Sequence, residues 1–213
     1  MIVAHLTDLH LNGSADRKAR LVSALGEAKS AGAGHLLLTG DLTAYGTGAQ
    51  VAELYTVLRE HWGGLGKTVV PGNHDGIGDI DLVFPMGSPQ EVDGALIVPV
   101  DSRYHRRALL FRALGAVSRQ AYEHVERVSR DPGRTVVVAM HHGPHGRPLG
   151  FFEGTVGRHG LGSLLTQRPH VHVCSGHDHR AFDRDNVHVA HAVAHHDAPL
   201  RLYEVSRASF RTL

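Results

Sequence analysis

The sequence predicts an α/β fold, and three observations point to it. Short apolar runs at residues 2–6, 35–39 and 67–70 alternate with two segments of helical periodicity, which gives βαβαβ over residues 1–70. Side chains capable of chemistry follow each run: Asp8 and His10, then Asp41, then Asn73, His74 and Asp75. Ligand sites in open α/β sheets gather at the carboxyl ends of strands, and the same layout returns at His141-His142 and at His177-Asp178-His179.

Taken in order, residues 2–6 form a short strand. Ser14 and Asp16 offer N-caps for a helix of about 15 residues with Leu21, Val22, Leu25 and Ala28 on one face. Gly32 and Gly34 are expected to stop that helix. His35 to Thr39 has no polar alternation and reads as a strand buried on both faces. Thr47 is placed to cap a second helix through Val51, Leu54, Tyr55 and Leu58, which Gly63-Gly64 ends. Lys67 to Val70 is the third strand. Residues 76–94, rich in glycine, proline and acids, are expected to form a loop, and Ala95 to Val100 a strand. Ser118 caps a helix running to about Arg130, broken by Asp131-Pro132-Gly133. Thr135 to Met140 is a dense apolar strand, followed by a glycine-rich connection from His145 to about Gly160. A short helix over 161–166, a strand over 171–174 and three tail strands over 187–193, 200–205 and 209–213 complete the chain.

The 213 residues, 42% of them hydrophobic, supply one core and are too few for two ordinary domains, so residues 1–213 are expected to form a single domain. A formal charge of +1, from 22 basic and 21 acidic residues, gives no bulk signal for a polyanion or a membrane surface. Nucleic acid is left open as a partner but is not indicated by charge, and oligomeric state is not legible. With Cys174 alone, no intramolecular disulfide forms, which favours a cytoplasmic setting. The first six residues lack the basic and long apolar regions of a signal peptide. No apolar run approaches the roughly 18 residues that span a bilayer. The 19 histidines fit either a compositional bias with scattered surface imidazoles or metal chemistry. Several of them stand at strand ends.

Asp8 and His10 are two apart, as are His177 and His179, so each pair points one way if the backbone stays extended. Asp, His and Asn together make a mixed oxygen and nitrogen donor set. Such a set suits manganese, iron, zinc, cobalt or nickel better than calcium or magnesium. A carboxylate such as Asp41 can bridge two ions, and ion pairs roughly 3.5–4 Å apart are a common solution for displacement at phosphorus. Each motif alone is weak, since a lone His after a strand is usually structural. The ordered set is what has weight.

That ordered set, Asp8-x-His10, Gly40-Asp41, Gly72-Asn73-His74-Asp75, His141-His142 and Gly176-His177-x-His179, resembles the signature of the calcineurin-like metallophosphoesterases over residues 1 to about 180. The resemblance implies a four-layer αββα sandwich of two mixed sheets flanked by helices. The metal centre would lie at the carboxyl ends of the strands, with no inserted cap domain. It implies two divalent ions, manganese or iron favoured, one held by Asp8, His10, Asp41 and His179 and the other by Asp41, Asn73, His141 and His177. His74 would stay outside the coordination sphere and protonate the leaving oxygen, with Asp75 orienting it. The choice of His141 over His142 rests on the resemblance alone. The implied chemistry is direct hydrolysis of a phosphoester by a water or hydroxide shared between the ions. No Gly-x-Ser-x-Gly elbow or phosphate-binding loop competes, and Cys174 lies inside a strand.

The sequence favours a phosphodiesterase acting on a small soluble ester, a cyclic nucleotide or similar. His-His-x-Pro and the absence of an insert resemble the bacterial cyclic-nucleotide phosphodiesterases. The alternatives are a phosphomonoesterase acting on a nucleotide, a phosphoprotein or a nucleic-acid end, then a nuclease, then a non-catalytic scaffold. His145, His159, Arg147 and Arg158 are candidates for substrate contact against plain exposure, and Phe151-Phe152 for stacking against anchoring. Asn12 and Arg17 are weaker candidates. His191, His195 and His196 read as structure or surface, and His5, His35, His170, His172 and His188 as packing residues.

Overall fold

The computed structural model describes residues 1–76, 78–103, 115–144, 155–156, 158–197 and 199–213. The Ser14 side chain accepts the Arg17 amide and opens α1 (Ala15–Ser30). With α2 (Gly48–His61), this helix links three parallel strands, β1 (Ile2–Leu6), β2 (Ala33–Thr39) and β3 (Gly66–Val70). Thr47 stands at the α2 N-cap position without a side-chain cap bond. Gly32 lies just past the end of α1 at φ 79°, whereas Gly34 lies inside β2 and stops nothing.

The second half of the chain opens with α3 (Asp79–Val83), β4 (Gln90–Val92) and β5 (Ala95–Pro99). Segment 76–94, expected as a loop, thus holds a short helix and an edge strand. β4 folds back on β5 through Asp93 at φ 50° and Gly94 at φ 79°, the Asp-Gly turn whose twist suits a hairpin. Next come β6 (Gly115–Ala116), α4 (Arg119–Val128) capped by Ser118, β7 (Val136–Ala139), β8 (Thr155–Val156) and α5 (Arg158–Gln167). The chain ends with β9 (Val171–Ser175), β10 (Phe182–Arg184), β11 (Val187–Val189), β12 (Arg201–Ser206) and β13 (Ser209–Thr212). The sequence did not single out β6, β8 or β10, each three residues or fewer.

The main strands form two mixed sheets, ordered β13-β12-β1-β2-β3 and β10-β11-β9-β7-β5-β4. β2 shows why its sequence lacks polar alternation. Leu36 and Leu38 face α1 and α2, packing with Leu21, Leu25, Val51 and Leu54, while Leu37 faces the other sheet among Ile97, Val137 and Ala139. The second sheet turns Val98, Val138 and Val173 to Val125, Leu161 and Leu164 of α4 and α5. Helices, sheet, sheet and helices make the four-layer αββα sandwich. Each fully buried leucine or valine in it contributes about 1.5–3 kcal/mol relative to exposure. Among the described residues, no helix is long and apolar enough to cross a membrane.

Candidate metal centre

β1, β2, β3, β7 and β9 all deliver their following residues to one edge of the sandwich, but the backbone there is not extended. Asp8, His10, Asp41, His177 and His179 have φ values of 51°, 44°, 49°, 73° and 59°. Left-handed backbone is sparse for non-glycine residues, though Asn, Asp and His tolerate it best, and each instance costs on the order of 1 kcal/mol. Loop-to-loop hydrogen bonds offset the strain. The Asp8 amide donates to the Gly40 carbonyl at 3.0 Å and the His10 amide to the Asp41 carbonyl at 2.9 Å. Gly72 allows the third loop to close on the second, because a Cβ there would overlap the Asp41 amide nitrogen and Oδ1.

The side chains so placed form one cluster. His179 Nε2 lies 3.2 Å and His10 Nε2 3.9 Å from Asp8 Oδ1, and the two imidazole nitrogens are 3.5 Å apart. His10 Nε2 also lies 3.8 Å from Asp41 Oδ2, which His141 Nε2 approaches to 3.4 Å from the other side. His141 Nε2 is 3.2 Å from Asn73 Oδ1, and the His177 ring centre is 5.2 Å from that of His141. Asp41 therefore stands between an Asp8–His10–His179 group and an Asn73–His141–His177 group. All seven ligand candidates from the sequence are brought together.

The donor set fits divalent cations. Asp8 Oδ1 is buried and accepts no hydrogen bond of good geometry, while its Oδ2 takes Thr7 Oγ1 at 2.8 Å and the His177 amide at 3.0 Å. A buried, unpartnered carboxylate oxygen is costly unless a cation meets it. Burial works to lower His141, yet the adjacent Asp41 carboxylate raises it to about 10, and His141 in turn holds Asp41 below the usual carboxylate range against its own burial. That exchange measures the negative field which bound cations would neutralise. Burial lowers His10 and His177 to about 4, leaving both rings neutral and able to offer a lone pair.

The two adjacent histidines differ in their outer contacts. His141 Nδ1 lies 2.8 Å from the Thr39 carbonyl, which only accepts, so Nδ1 bears the hydrogen and Nε2 is left as a donor atom to metal. His142 Nδ1 lies 3.0 Å from Ser102 Oγ, a hydroxyl that also accepts the His142 amide at 2.9 Å, and its Nε2 lies 3.1 Å from Asn73 Oδ1. With the hydroxyl proton on Nδ1, the hydrogen of a neutral His142 sits on Nε2. In that arrangement His142 donates to Asn73, while its ring also stands with His141 and His177 in a group close enough to share an ion.

His74 is exposed beside His10, the two ring centres 4.8 Å apart, and its Nδ1 is 3.0 Å from the Ala44 carbonyl. Asp75 takes a different part from the one the sequence suggested. Its carboxylate accepts the Leu42, Gly72 and Thr43 amides at 3.2, 2.8 and 2.8 Å, tying the second metal loop to the third, and Ala44 rather than Asp75 meets the His74 ring. Burial and then Asp41 push Asp75 up to about 6.

Some contributors carried no motif. Arg103, 9% exposed, binds Asp81 and Asp101 at 2.7 Å each and also the Gly76 carbonyl, fastening the chain just beyond His74 and Asp75. Residues 192–195 dock along the first metal loop and bring the His195 ring centre to 5.3 Å from that of His179. Asn12 turns back to the Ser14 amide at 3.0 Å. His145, Arg147, Phe151 and Phe152 lie outside the described residues, as do the side chains of Arg158 and His159. His5 and His35 are buried, bonded to Thr39 and Thr68 hydroxyls, and His172 and His188 stack on Phe210. Burial raises the Cys174 thiol to about 12, which disqualifies it as a nucleophile at neutral pH.

A two-carboxylate, imidazole-rich cluster at the strand ends of an αββα sandwich defines a dinuclear metallohydrolase type of centre. Residues 1–181 match the family model of the calcineurin-like phosphoesterases. The chain belongs to that family and is a metal-dependent phosphoesterase. The fold is shared with a dimetal phosphatase from Danio rerio, at TM-score 0.72 and 12% identity over 97% of this chain and 93% of that one. It is shared too with a purple acid phosphatase from yellow lupin (Lupinus luteus) seeds, at TM-score 0.65 and 12% identity over 100% of this chain and 51% of that one. A third solved structure with the fold is GAP50, the anchor in the inner membrane complex of Plasmodium, at TM-score 0.63, 11% identity, and 100% and 83% coverage. No curated protein matches the sequence.

Proposed function

We propose that the chain is a phosphodiesterase acting on small soluble esters, a cyclic nucleotide or a similar diester. One ion is assigned to Asp8, His10, Asp41 and His179, and the other to Asp41, Asn73, His141 and His177, with manganese or iron favoured for both. The observation behind the diester reading is the pair of exposed imidazoles that flank the cluster. His74 stands with His10 and Asp41, and His195 stands against His10 and His179. A diester presents two ester oxygens at phosphorus, and an exposed imidazole on each flank of the cluster gives each of them a polar neighbour.

Bound there, the ions would lower the pKa of a shared water and neutralise phosphoryl oxygens. The residues do the rest. Asp75 and Gly72 fix the third loop against Asp41. Ala44 holds His74 through Nδ1–H, which leaves Nε2 as the nitrogen placed to carry a proton to the departing oxygen. Protonation matters most when the leaving group is a poor one, such as a sugar alkoxide.

The test is a substrate panel with Mn²⁺-loaded protein: bis(p-nitrophenyl) phosphate, p-nitrophenyl phosphate, and 2′,3′- and 3′,5′-cyclic nucleotides. The proposal predicts that a diester is turned over fastest. Faster turnover of the monoester than of every diester overturns it in favour of a phosphomonoesterase. No turnover with metal bound would point to a scaffold.

A further inference from the structure

Segment 190–197 follows β11 and leaves the sheet to lie along the first metal loop. The Val193 amide donates to the Thr7 carbonyl and the Ala194 amide to the Asp8 carbonyl, both at 3.1 Å. His196 Nε2 lies 3.1 Å from the His179 carbonyl, and Arg20 of α1 reaches the His196 carbonyl at 3.3 Å and Asp197 at 3.1 Å. Backbone and side chains on either side of His195 are therefore fastened to two metal loops and a helix. The His195 ring itself is exposed and makes no hydrogen bond among the described residues, with its centre 5.3 Å from that of His179 and 6.3 Å from that of His10. A rigid mount that presents a polar ring with no partner beside a metal cluster is a binding arrangement rather than a packing one.

Arg17 supplies the second half. It lies in the first turn of α1, three residues after the Ser14 cap, and its Nη1 is buried without any acceptor. Its neighbour on the helix, Arg20, has found Asp16, Asp197 and a carbonyl. Arg17 and Arg20 are three apart on α1, and Arg20 reaches the His196 carbonyl and Asp197, which brings this side of the helix to the segment that carries His195. A buried guanidinium N–H without an acceptor costs about 1–3 kcal/mol unless something from outside meets it. An unpartnered guanidinium N–H and an exposed imidazole on one flank of a phosphoesterase centre suit oxygen acceptors on the substrate.

We propose that Arg17 and His195 bind phosphoryl oxygen of the substrate, forming an anion-binding edge on the His179 side of the cluster. This rests on the phosphoesterase reading of the site and adds to it the residues that hold the anion. Neither is a metal ligand, so metal content is independent of both. Arg17 offers a charged donor and His195 a neutral or charged one, a combination that suits a phosphate better than a carboxylate or an uncharged leaving group.

The experiment is calorimetric titration of inorganic phosphate into Mn²⁺-loaded wild type, Arg17→Met and His195→Gln. KM for bis(p-nitrophenyl) phosphate, metal content and Tm are measured on the same samples. Each variant is expected to weaken phosphate binding about 10-fold and to raise KM by a similar factor, with metal content unchanged. Arg17→Lys, which keeps the charge and the stem, should recover part of the loss and serves if Arg17→Met folds poorly. Unaltered phosphate affinity in both folded variants overturns the inference, and so does loss of metal from His195→Gln. The two readings fail separately. A wild type that hydrolyses esters while the variants bind phosphate normally removes only the anion-binding edge. A wild type inactive on every ester, yet losing phosphate affinity on substitution, removes only the phosphoesterase reading.

Discussion

His141 Nδ1 donates to the Thr39 carbonyl at 2.8 Å, and this bond decides which nitrogen of the ring faces the cluster. Thr39 closes β2, and its carbonyl also lies 3.0 Å from Thr7 Oγ1, whose one proton it shares with Asp8 Oδ2, so one backbone oxygen meets side chains from two metal loops. The neighbouring His142 is held by a hydroxyl instead. Adjacent histidines thus meet different partners at Nδ1, a carbonyl for one and a hydroxyl for the other.

It follows that His141→Gln and His142→Gln should differ in metal content. The first is expected to lose one ion and to cut kcat/KM by about 100-fold or more, and the second to keep both ions. Elemental analysis of dialysed protein reads the difference. Metal loss from the His142 variant alone would reverse the assignment.

His74→Ala should slow turnover while both ions stay bound, because the ring contacts the Ala44 carbonyl and stands at the cluster's exposed flank. The loss should be larger for alkyl diesters than for p-nitrophenyl esters, whose leaving group needs no proton. Comparing the two substrate classes in steady-state assays checks it. Equal losses for both would mean that the ring does not protonate the leaving oxygen.

Gly72→Ala is predicted to destabilise the fold by about 1–3 kcal/mol and to weaken metal binding together, since the added Cβ meets the Asp41 amide nitrogen as well as its buried carboxylate. Urea unfolding of apo and Mn²⁺-loaded protein separates the two effects. Retention of full stability would show that the second and third metal loops part at little cost.

Arg103→Leu should cost about 3 kcal/mol, because Asp81 and Asp101 lose a shared guanidinium that is 9% exposed. The released segment lies next to His74 and Asp75, so KM should rise as well. Thermal unfolding and steady-state kinetics on the same preparation read both.

Stability is predicted to fall on acidification below neutral pH for a reason remote from the metals. Burial lowers His35 and His172 to about 4. A depressed histidine pKa gives stability that is whole above the unfolded value near 6.5 and is lost as pH falls towards the folded value. Each ring should account for on the order of 1–2 kcal/mol of loss by pH 5. His35→Gln, which keeps an amide near the Thr68 hydroxyl, should flatten that part of the profile in urea titrations at pH 7, 6 and 5. An unchanged slope would remove His35 from the account.

Much of this was legible in the sequence because the strands are buried on both faces. Runs such as His35 to Thr39 have no other common reading, and ligand side chains keep their type wherever the backbone bends. The bend itself was not legible. Residue identity does not announce φ, so Asp8 and His10 were expected on extended backbone and instead turn through left-handed conformations. Asp93-Gly94 marks the β4–β5 hairpin, but the glycines, prolines and acids around it give the same signal as a loop. The third metal loop's support by Asp75, the Arg103 fastening and the approach of His195 are tertiary. Each depends on partners 20 or more residues away, such as Leu42 with Asp75, Asp81 with Arg103 and Asp8 with Ala194. No local pattern encodes those distances.

The central claim is that Asp41 bridges two ions, with Asp8, His10 and His179 on one side and Asn73, His141 and His177 on the other. Anomalous diffraction from crystals grown with Mn²⁺ tests it most directly. The account predicts two peaks about 3.5–4 Å apart, both in bonding contact with the Asp41 carboxylate. A single peak, or two peaks of which only one touches Asp41, would contradict it.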